Sequence, residues 1–385
     1  MTRIVWYQRR IRQSGGGERF CLSLVSQNLG GGNVLTSEYC KSVFDGTYSS
    51  VVKLIPFNNY ITFLIRLRRM LLAEWSKGSV IQTSGTWNHV IDVYLALFGS
   101  KVQYDCWIWG SMFQFTPTVE KLKYAFIFKY KIDKLLELNY VHKDQFVHYK
   151  YKNLKESVKY NLIAILKFLA VRKSRRLYCL SNLNKQEICL LYNKQAIVDF
   201  AIFDDEPQPS RIGNLSQTRK PMQIFTVGRL AENKNIDKLI LAFNTILKGG
   251  FDARFHIVGT GPDLEKLKAL VKKLGISNKV EFHGFVSDSD LDYLFDRNAI
   301  FWCFDNADFN LAPLLFASHD YKVVCALPFQ ENAFTERCQN FHICRRDVNS
   351  LVDKTIEIHN DTIIPTSRTF LSKYRWSSLA TRISQ

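Results

Sequence analysis

The chain has no apolar run of the ~18 residues that a membrane-spanning helix needs, which predicts that no segment crosses a bilayer. Residues 1–10 lack the apolar core of a secretory signal. Paired cysteines are also missing. Nine cysteines are scattered singly, with no CxxC and no metal-ligand spacing, so they read as free thiols of a reducing cytoplasm and not as a disulfide scaffold. Acids are scarce against 52 Lys and Arg, and the formal net charge of +17 favours nucleic acid, an anionic membrane face or phosphorylated substrates. A length of 385 residues with 46% hydrophobic content predicts two domains, each with its own core.

The organising stretch is Ile224 to Lys234, IFTVGRLAENK. Ile224 to Val227 predict a short buried strand and Gly228 a hard turn. Arg229 and Lys234 then set two cations in the loop that opens the next helix. A helix N-terminus adds about half a positive charge, so the stretch reads as an anion site, although surface chemistry alone also explains a Gly-Arg pair. Ile236, Leu239, Ile240, Phe243 and Leu247 mark the buried face of that helix. Phe255 to Val258 predict a second strand, Gly259-Thr260-Gly261-Pro262 a turn into another helix, and Val280 to Phe282 a third strand closed by Gly284. This alternation predicts a parallel sheet with ligands beyond the carboxyl ends of its strands, where Arg229 and Lys234 lie.

VGRLAENKNIDKLILAF and FHIVGTGPDLEKLKALVKKLGISNKVEFHGFVSDSDL together resemble the nucleotide-sugar-binding domain of retaining GT-B glycosyltransferases of the group 1, or family 4, type. The likeness is dense over residues 221–300 and looser elsewhere. It implies that Arg229 and Lys234 hold the donor diphosphate and stabilise its leaving charge, with further donor contacts at Gly228, Gly259, Gly261, Phe285, Asp308, Asn310 and Leu311. SGGGER, after a predicted strand at Ile4 to Tyr7, resembles the family's glycine loop. It implies that Gly15, Gly16 and Gly17 close over the donor phosphates, while the residues alone also fit a flexible loop. For the acceptor, the resemblance points to the ends of two strands predicted at Ser79–Gln82 and Val102–Trp109, where Thr83, Ser84 and Trp109 stand in place of the family's histidines and Ser111 is a further acceptor candidate. His89, on the helix between them, is a further acceptor candidate or a structural histidine.

The chain departs from the family where two glutamates, eight positions apart, flank a Gly-Phe-Gly-Leu turn. Alignment on Phe309-Asn310-Leu311 puts Ala307 and Leu315 at those positions, and no glutamate lies between Glu281 and Glu331. Asp308 offers a shorter substitute for the first. A lost charged hydrogen bond costs about 1.5–3 kcal/mol, which weakens donor binding without abolishing the fold. Asp288-Ser289-Asp290 looks like a metal-binding DxD, but its place before Leu291, Leu294 and Phe295 fits helix-start carboxylates. No metal and no cofactor beyond the nucleotide sugar is expected.

Residues 119–176 are rich in Lys and Arg interleaved with Tyr and Phe. Such helices suit an ordinary solvated basic face, an anionic membrane surface or nucleic acid. The resemblance favours a membrane surface over nucleic acid as a partner.

The expected architecture is thus α/β of the GT-B type, two Rossmann-like domains facing across a cleft. Residues 1–204 form the acceptor domain, 205–220 a linker rich in Pro, Ser and charge, 221–369 the nucleotide-sugar domain, and 370–385 a helix returning to the first domain. The expected activity is retaining transfer from a nucleotide-diphosphate sugar, UDP- or GDP-linked, to a glycan or polyprenyl-linked acceptor, in bacterial surface polysaccharide synthesis. Its expected place is the cytoplasm, peripheral to the inner membrane face. The alternative is a non-catalytic GT-B partner subunit or sugar-nucleotide sensor.

Overall fold

Short uninterrupted apolar runs make strands buried on both faces, as parallel sheets covered by helices require. Ile4–Tyr7 is such a run, IVWY, with all four side chains fully buried. The computed structural model describes residues 2–12, 16–41, 46–85, 89–109, 125–129, 131, 134, 152–203, 221–286, 290–291, 294–296, 298–307, 309–326, 329 and 332–385. The chain divides into two units, Met1–Asp205 with Ser372–Gln385, and Glu206–Leu371.

The first unit contains β1 (Ile4–Tyr7), β2 (Arg10–Ile11), β3 (Gly32–Thr36), β4 (Glu38–Tyr39), β5 (Val52–Leu54), β6 (Val80–Ser84), β7 (Asp105–Ile108), β8 (Leu177–Cys179) and β9 (Ile197–Val198). Seven of these form one parallel sheet in the order β5-β3-β1-β6-β7-β8-β9, and β2 pairs with β4. The order reverses between β1 and β6, so a crevice opens at their carboxyl ends. Side-chain caps start the covering helices: Asn59 accepts the Thr62 N–H ahead of Tyr60–Trp75, Asn153 the Glu156 N–H ahead of Leu154–Lys173, and Ser181 the Asn184 N–H ahead of Asn182–Tyr192. One buried carboxylate is fully paired. Asp105 takes Arg175 bidentately at 2.9 and 2.8 Å and the Gln82 amide at 2.8 Å.

β9 ends at Val198, where the Asp199 carboxylate turns back to accept the Phe200 N–H and also grips Arg382 at 2.9 and 2.7 Å. That grip belongs to the C-terminal helix Trp376–Ser384, whose Trp376 ring meets Phe20 edge-on at 4.8 Å. The strand predicted over 102–109 is confined to Asp105–Ile108.

The second unit contains β10 (Met222–Val227), β11 (Ala253–Val258), β12 (Val280–Gly284), β13 (Ile300–Cys303), β14 (Lys322–Ala326) and β15 (Phe341–Cys344), all parallel in the order β12-β11-β10-β13-β14-β15. Here the order reverses between β10 and β13. On one face, Phe255 packs against Phe243 of helix Ile236–Lys248 and against Trp302. On the other, Phe225 stacks on Phe295 at 4.3 Å and meets Phe316 and Tyr321. Of the face predicted for Ile236–Lys248, Ile246 is buried and Leu247 only half-buried.

Two glycines fix how the strand-end loops meet. Gly259 has φ +129°, and a Cβ there would lie 1.9 Å from the Gly228 carbonyl oxygen; at Gly261 it would lie 2.2 Å from that of Leu230. The loops after β10 and β11 are therefore pressed backbone to backbone. The Gly228 N–H donates to Val258 O at 3.0 Å, and the Leu230 N–H to Thr260 O at 2.9 Å. No larger residue fits without separating them.

Candidate functional site

The carboxyl ends of β10 and β13, the strands that flank the order reversal, carry the charged groups. Arg229 is exposed on the loop after β10, and among the described residues its guanidinium has no partner. Lys234 ends a short 3-10 turn, Glu232–Lys234, and its ammonium pairs with the Asp305 carboxylate, two residues beyond β13. Burial pushes the Lys234 pKa down, but the attraction of Asp305 and its hydrogen bond outweigh it and hold the amine above its ordinary value. Asp305 is itself buried; its Oδ2 also accepts from Asn310 Nδ2 at 3.0 Å, and its Oδ1 has no partner among the described residues.

Asn235, in the left-handed conformation at φ 49°, holds this arrangement from the β10 side. Its amide donates to Phe304 O at 3.0 Å and Asn306 Oδ1 at 2.9 Å. Asn310 holds it from the β13 side, capping helix Leu311–Ser318 by accepting the Ala312 N–H at 3.1 Å. A third cation, Arg346, reaches in from beyond β15. It donates to Asp305 O at 2.7 Å and to the Asn306 side chain, and lies over the Phe304 ring at 5.3 Å. Burial lowers the Arg346 pKa, yet a guanidinium stays charged at any working pH. Lys234, Arg346 and Asp305 thus meet at the switch point, with Arg229 on the adjoining loop, an arrangement suited to a multivalent anion.

Sequence reasoning names Arg229, Lys234 and Asn310 as candidates but not Asp305 or Arg346. The only signal for Asp305 was a charged residue directly after the buried run AIFWCF; Arg346 had none. Leu311 is half-buried at the start of its helix, and Phe285 stands 76% exposed just past β12. Ala307 and Leu315, in the glutamate places, are half-buried and bring no carboxylate. Asp308, Gly15, Ser111, Asp288 and Ser289 lie outside the described residues, as does most of 119–151 and all of the 205–220 linker.

In the first unit the predicted residues cluster, but in a different manner from the expectation. Thr83 and Ser84 are fully buried inside β6, with the Thr83 hydroxyl on Tyr7 O. His89 is buried and accepts the Arg9 backbone N–H on Nδ1 at 3.2 Å, and burial, with Arg9 nearby, lowers its pKa to about 3. Its contacts are those of a neutral structural histidine, which corrects the reading of His89 as a group presented to a ligand. Gly16 opens helix Gly16–Ser26, and a Cβ on Gly17 would lie 2.4 Å from the Trp109 ring. The bare Gly17 backbone therefore accommodates Trp109, which stacks on Trp6 at 5.7 Å. Just past the end of β1, Gln8 is 3% exposed with Oε1 unpartnered among the described residues.

Two parallel sheets in two units, each with an order reversal, define the GT-B fold. The lipopolysaccharide outer core galactosyltransferase WaaB, in its apo form, shares it with a TM-score of 0.59 at 12% identity, covering 100% of this chain and 99% of that one. HepE of Anabaena, solved with UDP and glucose, does so with a TM-score of 0.60 at 13% identity, covering 100% and 95%. Residues 211–304 match the family Glycosyl transferases group 1, so this is a GT-B protein whose second unit carries a group 1 segment. Mannosylfructose-phosphate synthase of Agrobacterium fabrum is 34% identical over 86 residues, 20% of this chain and 19% of that one. The match spans about a fifth of the length of the curated relatives.

Proposed function

We propose that the protein is a retaining glycosyltransferase that moves a sugar from a nucleotide diphosphate, such as a UDP- or GDP-sugar, to a glycan or polyprenyl-linked acceptor in bacterial surface polysaccharide synthesis. The observation that carries this is the cation set at the β10/β13 switch point: exposed Arg229, Lys234 on its Asp305 counter-ion, and Arg346. In the reaction, the bond from the anomeric carbon to the diphosphate oxygen breaks and a bond to the acceptor hydroxyl oxygen forms on the same face. The hydroxyl proton passes to the departing diphosphate. Negative charge grows on that diphosphate, and fixed cations stabilise it without reorganising at the moment of reaction. Gly228, Gly259 and Gly261 let the loops bring backbone close to the phosphates.

The acceptor is assigned to the first unit, near Trp109, Ser111 and Gln8, whose Oε1 has no partner among the described residues and suits a sugar hydroxyl; Thr83 and Ser84 are fully buried in β6 and are not placed to touch it. A stripe on helix Leu154–Lys173 supports peripheral docking at an anionic membrane face. Leu154, Val158, Leu162, Ile165 and Leu169 are exposed at helical spacing, beside exposed Lys155, Lys159, Arg172 and Lys173. Among the described residues no helix is long and apolar enough to cross a membrane.

The absence of carboxylates at Ala307 and Leu315 favours a second reading, a non-catalytic sugar-nucleotide sensor or partner subunit. Calorimetry with UDP and GDP, followed by hydrolysis assays on a panel of sugar nucleotides, separates the two. Binding with hydrolysis supports the transferase, binding without any turnover supports the sensor, and no binding of either nucleotide refutes both.

A further inference from the structure

We propose that His256, Glu281 and His283 form a binding site for a divalent transition-metal ion of the zinc class on the sheet of the second unit, apart from the switch-point cations. Strand register brings the three together. His256 on β11 lies opposite Glu281 on β12, and the register slips after Ile257, leaving His283 as the extra residue of a β-bulge. Bulges re-aim side chains. Here the His283 ring meets that of His256, with Nε2 3.0 Å from His256 Nδ1. Glu281 Oε2 is 3.6 Å from the same His256 Nδ1, and its Oε1 is 3.8 Å from His283 Nδ1. Zn–N bonds of about 2.0–2.1 Å at tetrahedral angles set neighbouring donors about 3.3–3.4 Å apart. The observed spacings of 3.0 and 3.6 Å bracket that value, so an ion fits with shifts of a few tenths of an ångström.

The hydrogen-bond pattern leaves the right atom free to ligate. Gln223 Nε2 donates to Pro221 O at 3.1 Å, which orients Gln223 Oε1 toward His256 Nε2 at 2.7 Å. His256 Nε2 therefore carries the hydrogen, and the Nδ1 lone pair points at His283 and Glu281. This is the arrangement in which an outer acceptor fixes the tautomer of a ligating imidazole. Without metal, a proton on His283 Nε2 bridges the two rings, and a metal ion takes its place. Phe295 walls the inner side, 5.4 Å from the His256 ring and 6.2 Å from that of His283. The imidazoles are 14% exposed and Glu281 61%, so the outer side leaves room for a water as fourth ligand. Two imidazoles and one carboxylate select zinc, nickel, cobalt or copper over magnesium or calcium. The ion would tie the edge strand β12 to β11. No spacing in the sequence reveals it, because the donors come from two strands and meet only through the bulge.

The test is titration of the purified, chelator-treated full-length chain with zinc by calorimetry, and with cobalt by visible absorption. The expected result is one zinc per chain and cobalt bands of nitrogen and oxygen ligation, with Gln223→Leu weakening zinc by about 10–100-fold. His283→Gln, or Glu281→Gln should the former fail to fold, should abolish both signals. Zinc at a hundredfold excess over its Kd should raise the melting temperature of the wild type by about 5–10 °C and leave the variants unmoved. Equal zinc affinity in wild type and either folded variant, no zinc uptake by the wild type, or cobalt bands of thiolate ligation from the nine free cysteines would overturn the proposal.

Discussion

Lys234 and Asp305 form an ion pair that joins the loop after β10 to the loop after β13, the two strands on either side of the order reversal. Asp305 is 5% exposed and Lys234 27%. The carboxylate keeps the amine charged and in place, and it also neutralises half of the cation pair that the sequence offers. An arriving diphosphate must therefore share Lys234 with Asp305, while exposed Arg229 supplies further positive charge. Without the carboxylate, a partly buried ammonium would stand alone whenever the site is vacant.

Asp305→Asn keeps the volume and the contact with Asn310 but leaves Lys234 unpaired. Breaking a buried pair costs about 3–5 kcal/mol, and the partial exposure of Lys234 puts the loss near the lower end, about 3 kcal/mol. The expected outcome is a lower urea midpoint for the second unit at neutral pH. An unchanged midpoint would show that the pair contributes no stability.

Arg229 is exposed and among the described residues holds no other side chain, so its removal should spare the fold. Arg229→Ala is expected to cut turnover at least about a hundredfold, the loss of one donor to developing charge. Circular dichroism and the melting temperature should match the wild type. Near-normal transfer by the variant would remove Arg229 from the proposed chemistry.

The parts of this fold that were legible in the sequence are those fixed by local patterns. IFTV and FHIV are strands because unbroken apolar runs of that length survive only when both faces are covered, and Gly259 and Gly261 are glycines because neighbouring carbonyls occupy the space of a Cβ. The strands β3, β13 and β15 escaped notice; their runs, GNVLT, IFWC and FHIC, are only four or five residues long. Asp305 and Arg346 escaped for a different reason. Each is ordinary in its own stretch and gains meaning only through partners some 40 to 70 positions away, a range that periodicity cannot reach. Trp109 over Gly17 and Gln8 at the end of β1 are of the same kind.

His89 gives a pH signature. Its folded pKa of about 3 lies below the unfolded value near 6.5. Between those values the unfolded chain binds a proton that the folded chain refuses, so stability is complete above pH 6.5 and falls as the solution is acidified. The slope from this one group is about 1.4 kcal/mol per pH unit. His89→Gln keeps an acceptor for the Arg9 N–H without titrating. Denaturation midpoints measured from pH 7.5 to 4.5 should fall less steeply in the variant by that amount; parallel curves would mean that His89 is not buried as a neutral ring.

The exposed stripe on helix Leu154–Lys173 makes the last prediction. Leu154 is 80% exposed, Val158 59% and Leu162 55%, while the opposite face of the same helix buries Ala164, Lys167, Ala170 and Val171. An amphipathic helix normally hides its apolar residues; here a second apolar line faces solvent, flanked by Lys155 and Lys159. Each lysine near an anionic bilayer contributes about 1 kcal/mol, and each buried apolar side chain about 1.5–3 kcal/mol, so charge alone cannot account for the binding expected. The double variant Val158→Glu and Leu162→Glu touches only exposed positions and should leave the melting temperature unchanged. Co-sedimentation with anionic vesicles should fall at least about tenfold, the loss of two apolar anchors, and the wild type should bind neutral vesicles weakly. Undiminished sedimentation of the variant would assign membrane contact to another face, and wild-type binding that is lost entirely in high salt would assign it to charge alone.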